Sequence, residues 1–246
     1  MAITFIYSSQ TDTGNERQNN QDSCNVFCLG DDACFAVVCD GMGGYNGGEI
    51  ASKIAVDTVS KRVSDGWRNG MTPDSAKNLL LTSISAANIF VYDKAHSSPE
   101  FAGMGTTVIA ALIIGDRVVI AHAGDSRAYI CGATLIRITK DHSYVQALLD
   151  AGIITGNEAD HHPDRHVITK ALGINEHIDL TFTSTLLRKN EKLLLCSDGL
   201  TNFVSEEVIS DTLKQNSPAE ACEKLISAAN ANGGGDNITA VVVSYQ

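Results

Sequence analysis

Apolar and polar positions along this chain follow two periods. Short runs rich in Val, Ile and Leu, bounded by Gly, Asn and Asp, predict strands over 5–11, 24–29, 33–39, 106–114, 117–123, 180–184, 192–196 and 238–245. A further strand pair is predicted across 129–138. Longer segments space their apolar residues for a helix: 47–63, where Ile50, Ile54, Val56 and Val59 approximate one face, then 73–95, 206–215 and 218–231. A shorter helix is predicted over 141–151, followed by a polar stretch to Arg165. Pro73 suits a first helical turn, and Gly115-Asp116 reads as a hairpin turn. Strands grouped before and after pairs of helices, and joined by hairpins, favour an α+β fold over a parallel, βαβ-wound sheet. No internal repeat or low-complexity linker interrupts the pattern, so 1–246 is read as a single domain.

Composition adds limits. With 246 residues, 43% of them hydrophobic and 19% charged, the chain can bury a substantial core. A formal net charge of -11 disfavours nucleic-acid backbones and anionic membranes as partners. Carboxylates awaiting cations would contribute to that figure. The seven cysteines are scattered through apolar runs, and Cys24 and Cys28 lack a second pair at zinc-site spacing. They read as free thiols in a reducing compartment. No basic region precedes an apolar stretch at Met1-Ala2-Ile3-Thr4-Phe5, and no apolar run reaches membrane-spanning length. The expected location is cytoplasmic.

The chemistry gathers where strands end. Val37-Val38-Cys39-Asp40-Gly41-Met42-Gly43-Gly44 delivers a carboxylate and a bare backbone carbonyl at the close of an apolar run. Oxygen donors of that kind suit a hard divalent cation such as Mg²⁺ or Mn²⁺. Asp125, Asp198 and Asp236 share the same grammar, each beside Gly or Ser at a strand boundary. Aspartates at corresponding ends of neighbouring strands can converge, and converging carboxylates repel unless cations sit among them. The competing reading is four independent Asp-Gly turns; we favour the joint metal site. Two metals there would polarise a phosphoryl oxygen and lower the pKa of a bridging water.

Taken in order, several blocks are similar to the metal-dependent protein phosphatases of type 2C (PPM), bacterial catalytic domains in particular. They are Arg17-x-x-Asn20-Gln21-Asp22, the Asp40-Gly41 block, Gly103-Met104-Gly105-Thr106-Thr107, Gly124-Asp125-Ser126-Arg127, Ile168-Thr169-Lys170-Ala171-Leu172-Gly173, Ser197-Asp198-Gly199 and Gly235-Asp236-Asn237. Each alone is weak, whereas their order along nearly the whole chain is specific. The resemblance implies a central antiparallel β-sandwich flanked on both sides by helix pairs, a four-layer αββα arrangement, with a small flap over about 143–165. It implies a serine/threonine protein phosphatase in which a metal-bridged water attacks phosphorus directly. Asp40, Asp198 and Asp236 would hold the first Mn²⁺ or Mg²⁺. Asp40 and the Gly41 carbonyl would hold the second, and Asp125 with Asp198 a third, weaker ion. Arg17 would bind the phosphate, Asp22 would hydrogen-bond metal-bound water, and Gln21 and Asn237 would support the ligands. The implied partners are phosphoserine and phosphothreonine proteins made by a Ser/Thr kinase, met by a monomer.

Two positions depart from the family. Met42 stands where animal relatives carry a histidine proposed as general acid, and methionine cannot donate a proton. Gln21 replaces an acidic residue found in many relatives. Other candidates read more plainly. His122, inside an apolar run, is expected to be a hydrogen-bonded core histidine. Pro163, between His162 and His166, argues against a helical histidine metal site. Gly103–Thr107 is expected to be a backbone fit at a strand entry. The alternatives in function are a non-catalytic, metal- or phosphopeptide-binding pseudophosphatase, disfavoured by retention of Arg17 and every direct carboxylate, and a hydrolase of small phosphate esters.

Overall fold

A computed structural model describes residues 4–44 and 47–246 of the protein. Residues 1–3, on which the reading of the N-terminus partly rests, lie outside the described residues. In chain order the strands are β1 (Phe5–Asp12), β2 (Asp22–Cys28), β3 (Ala33–Met42), β4 (Gly105–Thr106), β5 (Val108–Ile114), β6 (Arg117–Ala123), β7 (Arg127–Cys131), β8 (Leu135–Arg137), β9 (Thr181–Leu186), β10 (Lys192–Cys196) and β11 (Ile238–Tyr245). The helices are α1 (Gly47–Gly66), α2 (Pro73–Ser97), α3 (Tyr144–Asp150), α4 (Gly156–Asp160), α5 (Asp198–Thr201), α6 (Glu206–Gln215) and α7 (Pro218–Ala231). One sheet runs β1-β11-β10-β7-β8, and the other β2-β3-β5-β6-β9 with β4 paired to β3. All these pairings are antiparallel.

The continuous apolar runs of the central strands have a direct cause: both faces of each sheet are covered. Along β3, Phe35, Val37 and Cys39 pack towards α1 and α2, while Cys34, Ala36 and Val38 point between the sheets. On the other sheet, Leu193 and Leu195 of β10 face the same inter-sheet layer, and Leu194 and Cys196 face α6 and α7. Three apolar layers therefore separate four structural ones, and the α+β sandwich with a helix pair on each side is the observed architecture. Each fully buried Val, Leu, Ile or Phe contributes about 1.5–3 kcal/mol. The outer helices are closed by their own signals. Thr72 accepts from the Ser75 N–H ahead of α2, and Ser217 forms a reciprocal capping box with Glu220 at α7.

Differences from the sequence reading are local. Strand β3 continues to Met42, so Asp40 and Gly41 lie inside a strand, because Gly41 and Met42 pair with Thr106 and Gly105 of β4. Helix α3 begins at Tyr144, behind its Ser143 cap, rather than at 141. The polar stretch after it holds the five-residue α4, too short to show a period; its Thr155–Glu158 capping box is the legible signal. Among the described residues, no helix is long and apolar enough to cross a membrane.

Strand directions bring several termini to one end of the sandwich. The ends of β1, β3, β6 and β10 and the starts of β2, β5 and β11 meet there, as the registers require. Every candidate carboxylate sits at that end.

Candidate active site

Asp40 is held by its backbone. Its N–H donates to Thr107 Oγ1 at 2.9 Å, and its carbonyl accepts from Thr106 Oγ1 at 2.9 Å and Thr107 N at 2.8 Å. The Gly103–Thr107 block is thus a backbone clamp on the central aspartate. Behind it, Gly41 and Gly48 of α1 press so close that a Cβ on Gly41 would lie 2.0 Å from the Gly48 carbonyl oxygen. Only glycine permits that approach.

Asp22 is the cross-strand partner of Asp40. The pairs flanking this ladder fix its phase: Gly41 N–H donates to Gln21 O, and Leu29 N–H to Ala33 O. Both are hydrogen-bonded pairs of odd-numbered β2 residues. The even-numbered pairs, Asp22–Asp40 among them, are therefore the non-hydrogen-bonded kind, whose side chains come closest, with Cα atoms about 4.5 Å apart. Two carboxyls side by side in the sandwich interior carry an electrostatic cost. Burial first, then the charges of Asp22, Asp198 and Asp125, push the Asp40 carboxyl well above the usual range. Burial also raises Asp22 to about 7, against hydrogen bonds donated to its Oδ2 by Ser197 and Thr239 hydroxyls, each at 2.7 Å.

The remaining carboxylates come from the other strand ends. Asp198 opens α5; its Oδ2 accepts from Asn202 Nδ2 at 3.0 Å, and burial followed by Asp236 raises its pKa. Asp125 follows Gly124, which has φ +112° and whose Cβ would strike Thr107. Burial and Asp198 raise Asp125 to about 7. Asp236 is engaged differently: Arg17 grips it with Nε and Nη2, both at 3.0 Å. Asn237 organises the loop that carries Arg17. Its side chain donates to the carbonyls of Thr13 and Asn19 and accepts from Gln21 N–H. Arg17, Gln18, Asn19, Gln21 and Asn237 line a shallow cavity of about 150 Å³.

The fit to a cation can be judged from these donors. The set is all oxygen, and Asp22 Oδ1 and Asp198 Oδ1 are buried yet receive no hydrogen bond from the described residues. Buried carboxylates left so, at raised pKa, are what a hard cation stabilises. Among the described residues, no three His, Cys, Asp or Glu side chains already stand at the geometry of a shared ion.

His122 is buried, with Nε2 2.9 Å from the Lys140 carbonyl, and stacks on His142 at 4.5 Å between ring centroids. Its pKa is lowered, chiefly by burial. The sequence pattern gives neither Ser197, quoted within the Ser197-Asp198-Gly199 block, nor Thr239 the role of holding Asp22 through its hydroxyl. Ser197 stands next to Asp198, a signal that was available. Thr239 carried none outside the register of β11.

Residues 11–229 match the protein phosphatase 2C family. The chain belongs to that family. It is 37% identical over 239 residues to the serine/threonine phosphatase stp of Listeria welshimeri, spanning 95% of this chain and 93% of that one. The S. agalactiae serine/threonine phosphatase superposes with a TM-score of 0.91 at 34% identity, over 98% of this chain and 99% of that one. The catalytic domain of the serine/threonine phosphatase PstP, solved in complex with 2 manganese ions, superposes with a TM-score of 0.85 at 34% identity, over 99% of each chain. For this protein phosphatase 2C member, metal-dependent chemistry agrees with the all-oxygen donor set and with the manganese-bound PstP domain.

Proposed function

We propose that this chain is a metal-dependent protein serine/threonine phosphatase, with 1–246 acting as one catalytic domain and 143–165 as its flap. The observation that carries the reading is the group of carboxyls, Asp22 buried and Asp40, Asp125 and Asp198 half-buried, whose pKa values desolvation and mutual repulsion raise together. Asp40, Asp198 and Asp236 would hold one cation, and Asp40 with the Gly41 carbonyl a second. Asp125 with Asp198 offers a weaker third place. Mn²⁺ and Mg²⁺ both suit such ligands. When bound, such ions polarise phosphoryl oxygens and bring the pKa of water towards neutrality.

The chain's own groups do the rest. Arg17 is half exposed, and its planar fork matches two phosphate oxygens as well as it matches Asp236. With Asp236 serving as a metal ligand, the Arg17 guanidinium would be free to bind the substrate phosphate. Asp22 Oδ1, without a donor, accepts a hydrogen bond from water in the cleft, while Ser197 and Thr239 keep the carboxylate from turning. Gln21 and Asn237 set the loop that presents Arg17. Met42 supplies no proton, so the leaving alkoxide takes its proton from elsewhere in the cleft. The substrates are phosphoserine and phosphothreonine proteins produced by a Ser/Thr kinase, met in the cytoplasm by a monomer without nucleic-acid or membrane partners.

The test is hydrolysis of a phosphothreonine peptide with Mn²⁺, with Mg²⁺ and with EDTA. Turnover that needs added metal and vanishes with EDTA supports the reading. Metal binding by calorimetry without turnover would replace it with a pseudophosphatase.

A further inference from the structure

The ladder that sets Asp22 against Asp40 sets Cys28 against Cys34 at its other end. Six residues of strand, about 20 Å, separate the two pairs. Cys28–Cys34 has the same phase, so it too is a non-hydrogen-bonded pair with its side chains on one face. The Cα separation of about 4.5 Å typical of such a pair falls within the range that a disulfide spans. Cys28 is exposed, whereas Cys34 is wholly buried in the layer between the sheets. We infer that these two cysteines form a redox site, closing into a reversible cross-strand disulfide by exchange with a small-molecule disulfide. This assignment is independent of the phosphatase reading.

The division of labour follows from exposure. The Cys28 thiolate attacks one sulfur of the small disulfide RSSR, forming a mixed disulfide and releasing one RS⁻, which takes up a proton. Cys34 Sγ then loses its proton and attacks Cys28 Sγ, releasing the second thiol. In sum, two protein thiols and RSSR become one protein disulfide and two RSH, with the protein oxidised and the small disulfide reduced. Before reaction, burial, then the neighbouring charge of Cys28 and a hydrogen bond with it, holds the Cys34 thiol far above its usual pKa. Capping Cys28 as a mixed disulfide removes the second and third of these causes, which favours the closing step. The turn between the strands carries exposed Asp31 and Asp32, so a cationic disulfide is the better reactant. A bond near a solvent-facing hairpin end belongs to the labile kind, open to reduction again.

Reduced full-length protein is treated with cystamine and mapped by non-reducing peptide mass spectrometry, with thermal unfolding in parallel. The expected result is a Cys28–Cys34 link with no cysteamine retained, and a melting temperature raised by a few degrees and returned by dithiothreitol. Cys34→Ser is expected to keep one cysteamine on Cys28 and to show no gain in melting temperature. Cys28→Ser, altered at an exposed position, is expected to leave Cys34 unreacted. The inference is overturned if the unsubstituted protein retains cysteamine on Cys28 beside a free Cys34 thiol, or if Cys28 links to another cysteine.

Discussion

Two clusters of charge lie within a few residues of each other and are built on opposite terms. In the first, Asp141, in the loop between β8 and α3, has its side chain 10% exposed and both its oxygens taken. Arg127 Nη2 reaches Oδ2 at 2.8 Å, with Nε behind it, and Arg137 Nη2 holds Oδ1. In the second, Asp22, Asp40, Asp125 and Asp198 lie close together, and no cationic side chain among the described residues pairs with them as the arginines do with Asp141. Asp125 and Arg127 belong to the same turn, yet the guanidinium is directed to Asp141 and offers Asp125 only a minor share of its field. A cation was within reach and is committed elsewhere. Charge balanced inside the chain reads as structure, and charge left for an outside cation reads as function.

The sharpest way to break this contrast is Asp198→Asn. If the aspartate serves cations, the rate on a phosphothreonine peptide at saturating Mn²⁺ should fall about 10³-fold, since a metal's stabilisation of charge in the transition state is worth several kcal/mol. The metal-free protein should melt no lower, because one repelling charge is gone. Near-normal turnover would remove Asp198 from the ligand set. Arg17→Ala should come next, raising KM for the phosphopeptide about 10- to 100-fold through loss of a bidentate, charge-assisted contact. An unchanged KM would leave Arg17 as a partner of Asp236 and nothing more.

The balanced cluster should behave in the opposite way. Asp141→Asn leaves two part-buried guanidiniums without their carboxylate and should lower unfolding free energy by about 2 kcal/mol, read in urea, a fully buried pair being discounted for its partial exposure. A loss of turnover with stability intact would collapse the distinction between the two clusters.

pH separates them further. Asp22 and Asp125 have folded pKa values of about 7, above the 3.8 of an ordinary aspartate. The folded state therefore binds more protons than the unfolded state between those values. Stability from these two groups is fully present below the lower value and is lost as pH rises through about 7. EDTA-treated protein should melt higher when pH is lowered through that window. Saturating Mn²⁺ should reverse the trend, because metal binding needs the deprotonated carboxylates. A flat metal-free profile would mean that the cluster carries no such strain.

Much of this contrast is legible in the sequence, and part is not. The strand-end aspartates Asp40, Asp125, Asp198 and Asp236 announce themselves because an apolar run stops and a carboxylate follows beside glycine or serine. Helices α6 and α7 and strand β11 have the predicted limits, since caps and breakers stand at their ends. What local pattern cannot carry is phase between distant segments. Whether Asp22 faces Asp40 or points away depends on one residue of register, fixed by the bonds of Gly41 and Leu29. The grip of Arg17 on Asp236 spans 219 positions, and no spacing rule reaches that far. The local pattern ends strand β3 at Cys39 for a related reason, because its last pairing partner, β4, lies more than sixty positions downstream.

Within the second cluster Asp22 has one oxygen satisfied and one that receives no hydrogen bond from the described residues, so the finest test acts on it. Thr239 Oγ1 donates to Asp22 Oδ2 and lies 2.7 Å from Thr11 Oγ1, which in turn accepts from Asn20 Nδ2. With Asp22 ionised, the single Thr239 proton is committed to the carboxylate, so Thr11 must donate to Thr239. The hydroxyl chain therefore runs one way, from Asn20 to Asp22. Thr239→Val keeps the volume and removes the last donor. Ser197 alone then holds the ionised form, and the pKa of Asp22 should rise further, since hydrogen bonds to a carboxylate favour its charge. Turnover at neutral pH should drop a few-fold and recover in more alkaline buffer, with the acid limb of the pH–rate profile displaced upward. Stability should fall by about 1 kcal/mol for the lost hydrogen bond. If turnover drops equally at every pH, Thr239 acts through packing alone and the half-satisfied carboxylate is not tuned by its hydroxyls.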